Sequence, residues 1–297
     1  MPCYHPIRAY RRPDGLIVFS ESKGGSDAKH LDLPCGRCVG CRLERSRQWA
    51  VRIMHEAKTS PYNSFITLTY RPDSLPPYGS LYYPDYQAFI RRMRKRTRKS
   101  VRYYMCGEYG DGLTHPHYHA CLFGIDFRED RRPWKTSKGN ILYRSPLLEE
   151  LWPHGFSTVA ELTFDSAAYT ARYVMKKVTG EPSRDHYKKI DHDTGEVYHL
   201  TPEFNRMSLK PGIGREFCEK FLSDVYPHDY LVVNGVRCKP PRYYDKIFAS
   251  INALDFEELK AEREFRSAQN AADNTLERLA VKETIAIANI SRKVRDL

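Results

Sequence analysis

The chain has 297 residues, 41% of them hydrophobic and 29% charged, with 48 Lys and Arg against 37 Asp and Glu for a formal charge of +11. No apolar run approaches the ~20 residues of a membrane-spanning helix, and the opening MPCYHPIRAYRRPDG lacks the apolar segment of a secretory signal. A membrane protein and a disulfide-stapled secreted domain are therefore set aside, and the expectation is a soluble intracellular chain whose eight cysteines are reduced or metal-bound. The positive excess points to a polyanion, nucleic acid first, and 21 tyrosines supply the aromatic faces that stack on unpaired bases.

In chain order, the first 34 residues are rich in Gly, Pro, Ser and charge, with a short hairpin expected over 9–19 around Pro13-Asp14-Gly15. Cys35-Gly36-Arg37-Cys38-Val39-Gly40-Cys41 then makes two successive C-x2-C steps. With Cys3 as fourth ligand these thiols could hold a structural Zn²⁺, since such a site needs four ligands and thiolates three apart around a glycine turn suit a tetrahedron. The competing reading is four unliganded thiols. A helix is expected over 42–58, with Leu43, Ala50, Ile53, Met54 and Ala57 on one stripe, and a strand over 64–70, where Phe65, Thr67 and Thr69 alternate with Ile66, Leu68 and Tyr70. A second helix over 84–99 buries Tyr86, Phe89, Ile90 and Met93 and ends in RRMRKRTRK, more cations than a helix C-terminus needs and hence a candidate phosphate-tracking surface.

The stretch 106–124 reads CGEYGDGLTHPHYHACLFG. A strand turns alternate residues to one face, so His117 and His119 point the same way and Tyr118 the other. If the strand over 101–109 forms a hairpin with it, Glu108 faces the two imidazoles. Two histidines and a carboxylate supply three ligands for a divalent ion, Mg²⁺ or Mn²⁺ where the rest of the shell is oxygen, and imidazole also admits zinc. Residues 125–148 read as an irregular basic loop, 155–162 as a strand, and 165–178 as a helix capped by Asp165 or Ser166. That helix carries Tyr169 and Tyr173 on one face, four apart, with Lys176 and Lys177 a turn further on. The plain account of these tyrosines is half-buried packing. Beyond 180 the expectation is polar loops with a helix near 215–224 and a hairpin at Asn234-Gly235, and from 244 onward one or two charged helices. No G-x4-G-K-[ST] run, the mark of a P-loop ATPase, occurs.

These pieces resemble a known family. FITLTY at 65–70, His117-Tyr118-His119, and Tyr169, Tyr173 and Lys176 follow in order the three motifs of the HUH endonucleases, the rolling-circle replication initiators. The runs PCGRCVGCRLERSRQWA and YTARYVMKK add a closer resemblance to initiators of microviruses, gokushovirus type, covering about residues 3–180. The resemblance implies an α+β fold, a central antiparallel sheet with flanking helices (the HUH or ferredoxin-like Rep nuclease fold) and a C-terminal helical extension. It divides the chain into an N-terminal arm (1–60), an endonuclease core (61–180) and a C-terminal extension (181–297). It also implies a site: Tyr169 and Tyr173 as nucleophiles, Lys176 assisting, with Lys177 one residue off the family spacing, and Glu108, His117 and His119 holding Mg²⁺ or Mn²⁺. Arg172 stands where some two-tyrosine relatives have lysine. The expected partners are single-stranded DNA at a replication origin and a host helicase and polymerase, with no membrane, in the cytoplasm of a bacterial host. A HUH transposase or plasmid relaxase would share the core motifs. A non-catalytic single-stranded nucleic-acid-binding protein would need only the cations and tyrosines, and a zinc hydrolase of small substrates would leave the tyrosine helix without a task.

Overall fold

The structure, a computed structural model, describes residues 3–110, 113, 115–137, 139–178, 180–191, 194–233 and 235–295, with the side chains of 173–176 and 293–295 outside the description. It divides into two compact units, Met1–Arg45 with Glu257–Leu297, and Ser46–Phe256.

The chain enters the first unit through β1 (Ile7–Arg11) and β2 (Ile17–Val18), the expected hairpin. Its turn closes with the Arg12 N–H donating to the Leu16 carbonyl at 2.9 Å while Gly15 takes a φ of +84°, a conformation open to glycine. The short α1 (Glu21–Gly24) leads to β3 (Lys29–Leu33), which pairs antiparallel with β1, Ile7 opposite Leu33. This third strand was not foreseen, because its KHLDL alternates leucine with charge inside an arm rich in Gly and Pro. The long α2 (Val39–Thr59) follows.

The second unit is built on one antiparallel sheet. Its strands are β4 (Asn63–Tyr70), β5 (Arg102–Tyr109), β6 (Pro116–Phe123), β7 (Arg132–Ser137), β8 (Asn140–Arg144), β9 (Gly155–Ala160) and a later strand at Phe204–Met207. The helices α3 (Tyr83–Thr97), α4 (Pro146–Leu151) and α5 (Phe164–Lys176) lie between them in sequence, and α6 (Pro182–His186) with the hairpin β10 (Lys188–Ile190) and β11 (Val197–His199) precedes β12 (Phe204–Met207). Among the described residues the sheet runs β12-β5-β6-β4-β9-β8-β7. Alternation decides what each face buries. Ile66, Leu68, Tyr118, Ala120 and Leu122 turn to the core shared with Tyr86, Phe89 and Met93 of α3 and Leu148 and Leu151 of α4. Tyr104, Cys121 and Phe123 turn the other way, against Ile53 of α2 and Ala167 of α5. The α+β architecture expected from the sequence is therefore present, with helices on both faces.

Two expectations are corrected here. Residues 125–148 are not an irregular loop: they hold the β7–β8 hairpin that extends the sheet beyond β9, turning through Gly139 at a φ of +77°, and the start of α4. All six residues of β7 are exposed, so no buried alternation marked it as a strand. The stretch after 180 likewise conceals β12, four residues that pair with β5 from Phe204 opposite Gly107 to Met207 opposite Tyr104. The tyrosine helix is capped by Thr163, whose Oγ1 accepts from the Ser166 N–H at 3.2 Å, while Ser166 Oγ accepts in return from the Thr163 N–H at 2.9 Å. This reciprocal box replaces the expected cap at Asp165 or Ser166.

Further along come α7 (Arg215–Lys220), α8 (Leu222–Val225) and the foreseen hairpin of β13 (Leu231–Val233) and β14 (Val236–Cys238). The C-terminal text forms α9 (Arg242–Ile251), α10 (Ala253–Gln269) and α11 (Leu276–Arg295), three helices where one or two were expected. α9 is no appendage: its Tyr244, Ile247 and Phe248 are buried in the second unit. There His55 lies buried, stacked on Phe217 at 3.8 Å with its Nδ1 2.9 Å from the Tyr244 hydroxyl. Burial first, and then Lys58, lower its pKa to about 3. Because the unfolded imidazole takes a proton near its ordinary value and the folded one resists it, stability is complete above pH ~6.5 and falls as pH drops toward 3. Between pH 7 and pH 5 this group alone is expected to cost about 2 kcal/mol of unfolding free energy. Urea unfolding at the two pH values checks it: His55→Gln, less stable at pH 7, should lose correspondingly less on acidification.

Candidate active site

The histidine pair sits at the centre of the sheet. β5 and β6 form the hairpin that alternation suggested, with Glu108 directly opposite His117 and Cys106 opposite His119. On the other side of β6, Thr69 pairs with His117 and Thr67 with His119. Glu108 Oε1 lies 2.9 Å from His117 Nε2 and 2.9 Å from His119 Nε2. Glu108 and His119 are buried, while the His117 side chain is 19% exposed and opens the group to solvent. Burial pushes the Glu108 carboxyl up, but the two imidazoles outweigh it and bring its pKa to about 2, so the carboxylate is ionised.

The outer nitrogens decide what the inner ones can do. His117 Nδ1 is 2.9 Å from the His115 carbonyl, which can only accept, so Nδ1 carries the proton and donates. In the neutral ring the lone pair of Nε2 then faces a carboxylate oxygen, acceptor against acceptor, and only a proton or a cation between them relieves the repulsion. His119 Nδ1 is held at 2.9 Å by the Thr67 hydroxyl. An octahedral ion with ligands at ~2.1 Å separates neighbouring ligand atoms by about 3.0 Å, close to both Glu108–His spacings. The donor set, its spacing and its outer hydrogen bonds thus fit a divalent cation.

Helix α5 lies over this face of the sheet. Ala167 and Ala171 are fully buried, and buried Thr170 puts its Oγ1 3.6 Å from Cys121 Sγ, so small side chains let the helix approach closely. The Tyr169 ring, half-buried, stands perpendicular to His119 with centroids 5.2 Å apart and meets Phe65 edge-on at 6.4 Å. Tyr173 and Lys176 belong to the same helix, but their side chains lie outside the described residues. Lys177 is the residue that ends it. His115 stays apart from the carboxylate group and contributes its backbone carbonyl. The role of Thr67 went unread in the sequence, where the alternation shows only its place on the Phe65–Thr69 face of its strand.

Much of the basic run at the end of α3 has local work. Arg92 donates to the Leu151 carbonyl at 3.0 Å, Arg94 to the Val101 carbonyl at 3.0 and 2.7 Å, and Arg96 faces Glu150 at 3.5 Å.

The four predicted cysteines also come together. Cys3, Cys35, Cys38 and Cys41 place their sulfurs within 4.8 Å of one another, with Cys35 to Cys41 and Cys3 to Cys38 both at 4.0 Å. A tetrahedral zinc with bonds of ~2.3 Å spaces its sulfurs by about 3.8 Å. The backbone N–H groups of Tyr4, Arg37 and Cys38 donate to these sulfurs at 3.3 to 3.4 Å. Burial raises the Cys38 thiol, but donation from the Cys41 and Tyr4 backbone and from neighbouring thiols prevails and brings it to about 6, whereas burial leaves the Cys3 and Cys41 thiols raised.

Fold and site together define an α+β protein whose sheet presents a carboxylate and two histidines, able to take a divalent cation, beneath a tyrosine-bearing helix. Residues 63–178, from β4 through α5, match the family described as Replication-associated protein ORF2/G2P. The chain is 31% identical over 280 residues to Replication-associated protein VP4 of Bdellovibrio phage phiMH2K, spanning 91% of this chain and 84% of that protein. It is 32% identical over 270 residues to Replication-associated protein ORF2 of Spiroplasma virus 4, 83% of this chain and 80% of that one. With Replication-associated protein ORF4 of Chlamydia phage 1 the identity is 28% over 233 residues, 76% of this chain and 55% of the relative. The protein belongs to the phage replication-associated proteins. No solved structure matches it, and none of its described helices is long and apolar enough to cross a membrane.

Proposed function

We propose that this protein initiates rolling-circle DNA replication as a HUH-type, site-specific single-strand nickase and strand transferase. The observation that carries the reading is the carboxylate oxygen 2.9 Å from two imidazole nitrogens, with a tyrosine ring 5.2 Å from one of them. Glu108, His117 and His119 would hold Mg²⁺ or Mn²⁺, which when bound polarises the scissile phosphoryl oxygen. Tyr169 or Tyr173 attacks the phosphorus through its hydroxyl oxygen. The bond to the 3′ oxygen breaks, that oxygen leaves as a 3′-hydroxyl after taking a proton, and the phenolic proton goes to solvent. A phosphotyrosine on the 5′ end replaces the phosphodiester, one ester for another, so a free 3′-hydroxyl can reseal the strand without ATP. Lys176 assists by placing positive charge near the phosphate. The second tyrosine on the same helical face lets cleavage and joining alternate. The substrate is single-stranded DNA at a replication origin, and the work takes place in the cytoplasm of the bacterial host with a helicase and polymerase that the host supplies.

Incubation of the protein and Mn²⁺ with oligonucleotides tiling the genome that encodes it should yield one nicked species and a covalent protein–DNA band resistant to denaturant. A protein that binds these strands but leaves every one intact is the non-catalytic binder instead. Thr67→Val tests the outer hydrogen bond to His119: it should weaken Mn²⁺ binding about 10- to 100-fold with the fold retained, measured by calorimetry. Family resemblance favours a replication initiator over a transposase or relaxase, since the matching relatives are phage replication-associated proteins along most of their length.

The Cys3, Cys35, Cys38 and Cys41 group serves, in the same proposal, as a structural Zn²⁺ site that ties the N-terminal arm to the start of α2. Cobalt-loaded protein should show the visible absorption of a tetrahedral thiolate site, and Cys3→Ser should lose it along with stoichiometric zinc. Protein that purifies with an iron–sulfur chromophore, or without any metal at full stability, would contradict this assignment.

A further inference from the structure

The face that carries the carboxylate and histidines continues outward. Glu108 pairs with His117, His117 with Thr69, and Thr69 with Phe156, one cross-sheet row on a single face. Phe156 ends the row two strands from His117, ~10 Å away at ordinary strand spacing, and is 58% exposed. The hairpin extends the neighbouring row, that of His119, Thr67 and Thr158, from the other end of β9. Tyr143 pairs with Val159 and packs into the core on the opposite face, so its neighbours Leu142 and Arg144 turn to the face of the histidines. Lys135 and Arg132 pair with Leu142 and Arg144 and share that face. Trp134, at the register shift, lies with its ring 4.5 Å from the Lys135 ammonium and 5.5 Å from the Arg144 guanidinium, 50% exposed. Arg144 is held by Glu149 at 2.6 Å, whereas Arg132 and Lys135 are exposed and have no acidic partner among the described residues.

Two solvent-facing aromatics and a set of cations thus lie outward of the candidate site on its own face, in adjacent rows of the sheet, in a chain of charge +11. Aromatic rings accept the faces of unpaired bases and cations follow the backbone; a duplex, with its bases stacked, offers the rings nothing. We propose that β9 and the β7–β8 hairpin form the track for single-stranded DNA beside the scissile phosphate. Phe156 stacks on a base next to the site, Trp134 on one further out, and Arg132 and Lys135 meet the phosphates. The proposal rests on the nuclease reading for the position of the phosphate, and on sheet register for the rest.

The test uses the full chain with no divalent ion added beyond any it purifies with, so that no cleavage occurs, with a fluorescein-labelled oligo-dT followed by anisotropy. Phe156→Ala and Trp134→Ala should each weaken binding about fivefold or more with the salt dependence unaltered. Arg132→Ala with Lys135→Ala should flatten the slope of log Kd against log salt by ~1.4, about 0.7 for each phosphate. Trp152 is buried and Trp49 half-buried, so oligo-dT should quench emission in wild type and not in Trp134→Phe. Phe156→Leu, which keeps an apolar side chain at an exposed position, controls for folding and should lose affinity as Phe156→Ala does. Wild-type affinity in both Phe156 variants, or emission indifferent to oligo-dT, overturns the track. Covalent adduct formation, run in parallel with Mn²⁺ on genome-tiling strands, separates the two ideas: adduct with unchanged Phe156 affinity sinks the track alone, and weakened affinity without adduct in wild type sinks the nuclease reading alone.

Discussion

Glu108→Gln is expected to leave the protein folded without metal and to remove its divalent-ion affinity, with adduct formation falling about 100-fold or more. The first half follows from the hydrogen bonds. Glu108 is buried with one carboxylate oxygen between the Nε2 atoms of His117 and His119. Glutamine keeps the length of the side chain and a polar end that can hydrogen-bond both rings, so the metal-free variant loses a charge and no packing. The second half follows because the substitution takes away the one negative charge of the group, leaving two neutral imidazoles and a weak carbonyl ligand. Calorimetric titration with Mn²⁺ and thermal unfolding in EDTA check the two halves separately. Unchanged Mn²⁺ affinity in Glu108→Gln would sink the metal assignment.

Replacing both Tyr169 and Tyr173 by phenylalanine is expected to abolish the covalent adduct, a loss on the order of 10³-fold or more. The rings are retained, so packing of Tyr169 against Phe65 and His119 survives and the variant should unfold at the wild-type temperature. Only the hydroxyl oxygens are lost, and with them the atoms that would join the phosphorus. Oligonucleotide binding should persist, which separates loss of chemistry from loss of substrate.

The sequence was most legible where apolar alternation met a turn. The strand over 64–70 shows its two faces directly, buried Ile66, Leu68 and Tyr70 against Phe65, Thr67 and Thr69, and the hairpin of β5 and β6 could be inferred from two alternating runs around a glycine-rich link. That inference let Glu108 face the two imidazoles; the register, with Glu108 opposite His117, comes from the structure. Four cysteines could be grouped because three lie within seven residues. Legibility failed where strands bury little. β7 is exposed along its whole length and β12 has four residues, so each is a strand only because its neighbour offers an edge to pair with. At the end of α3, Arg92 and Arg94 donate to backbone carbonyls, partners that the run of cations by itself does not show. The Thr67 contact with His119 needed the β4–β6 register, which no local pattern supplies.

The most direct test of the central claim is to digest the covalent protein–DNA adduct formed with Mn²⁺ and identify the modified peptide by mass spectrometry. The account predicts a nucleotide attached through its 5′ phosphate to a tyrosine of α5, Tyr169 or Tyr173. A nucleotide on any other residue, or an adduct that survives in the double phenylalanine variant, would contradict it.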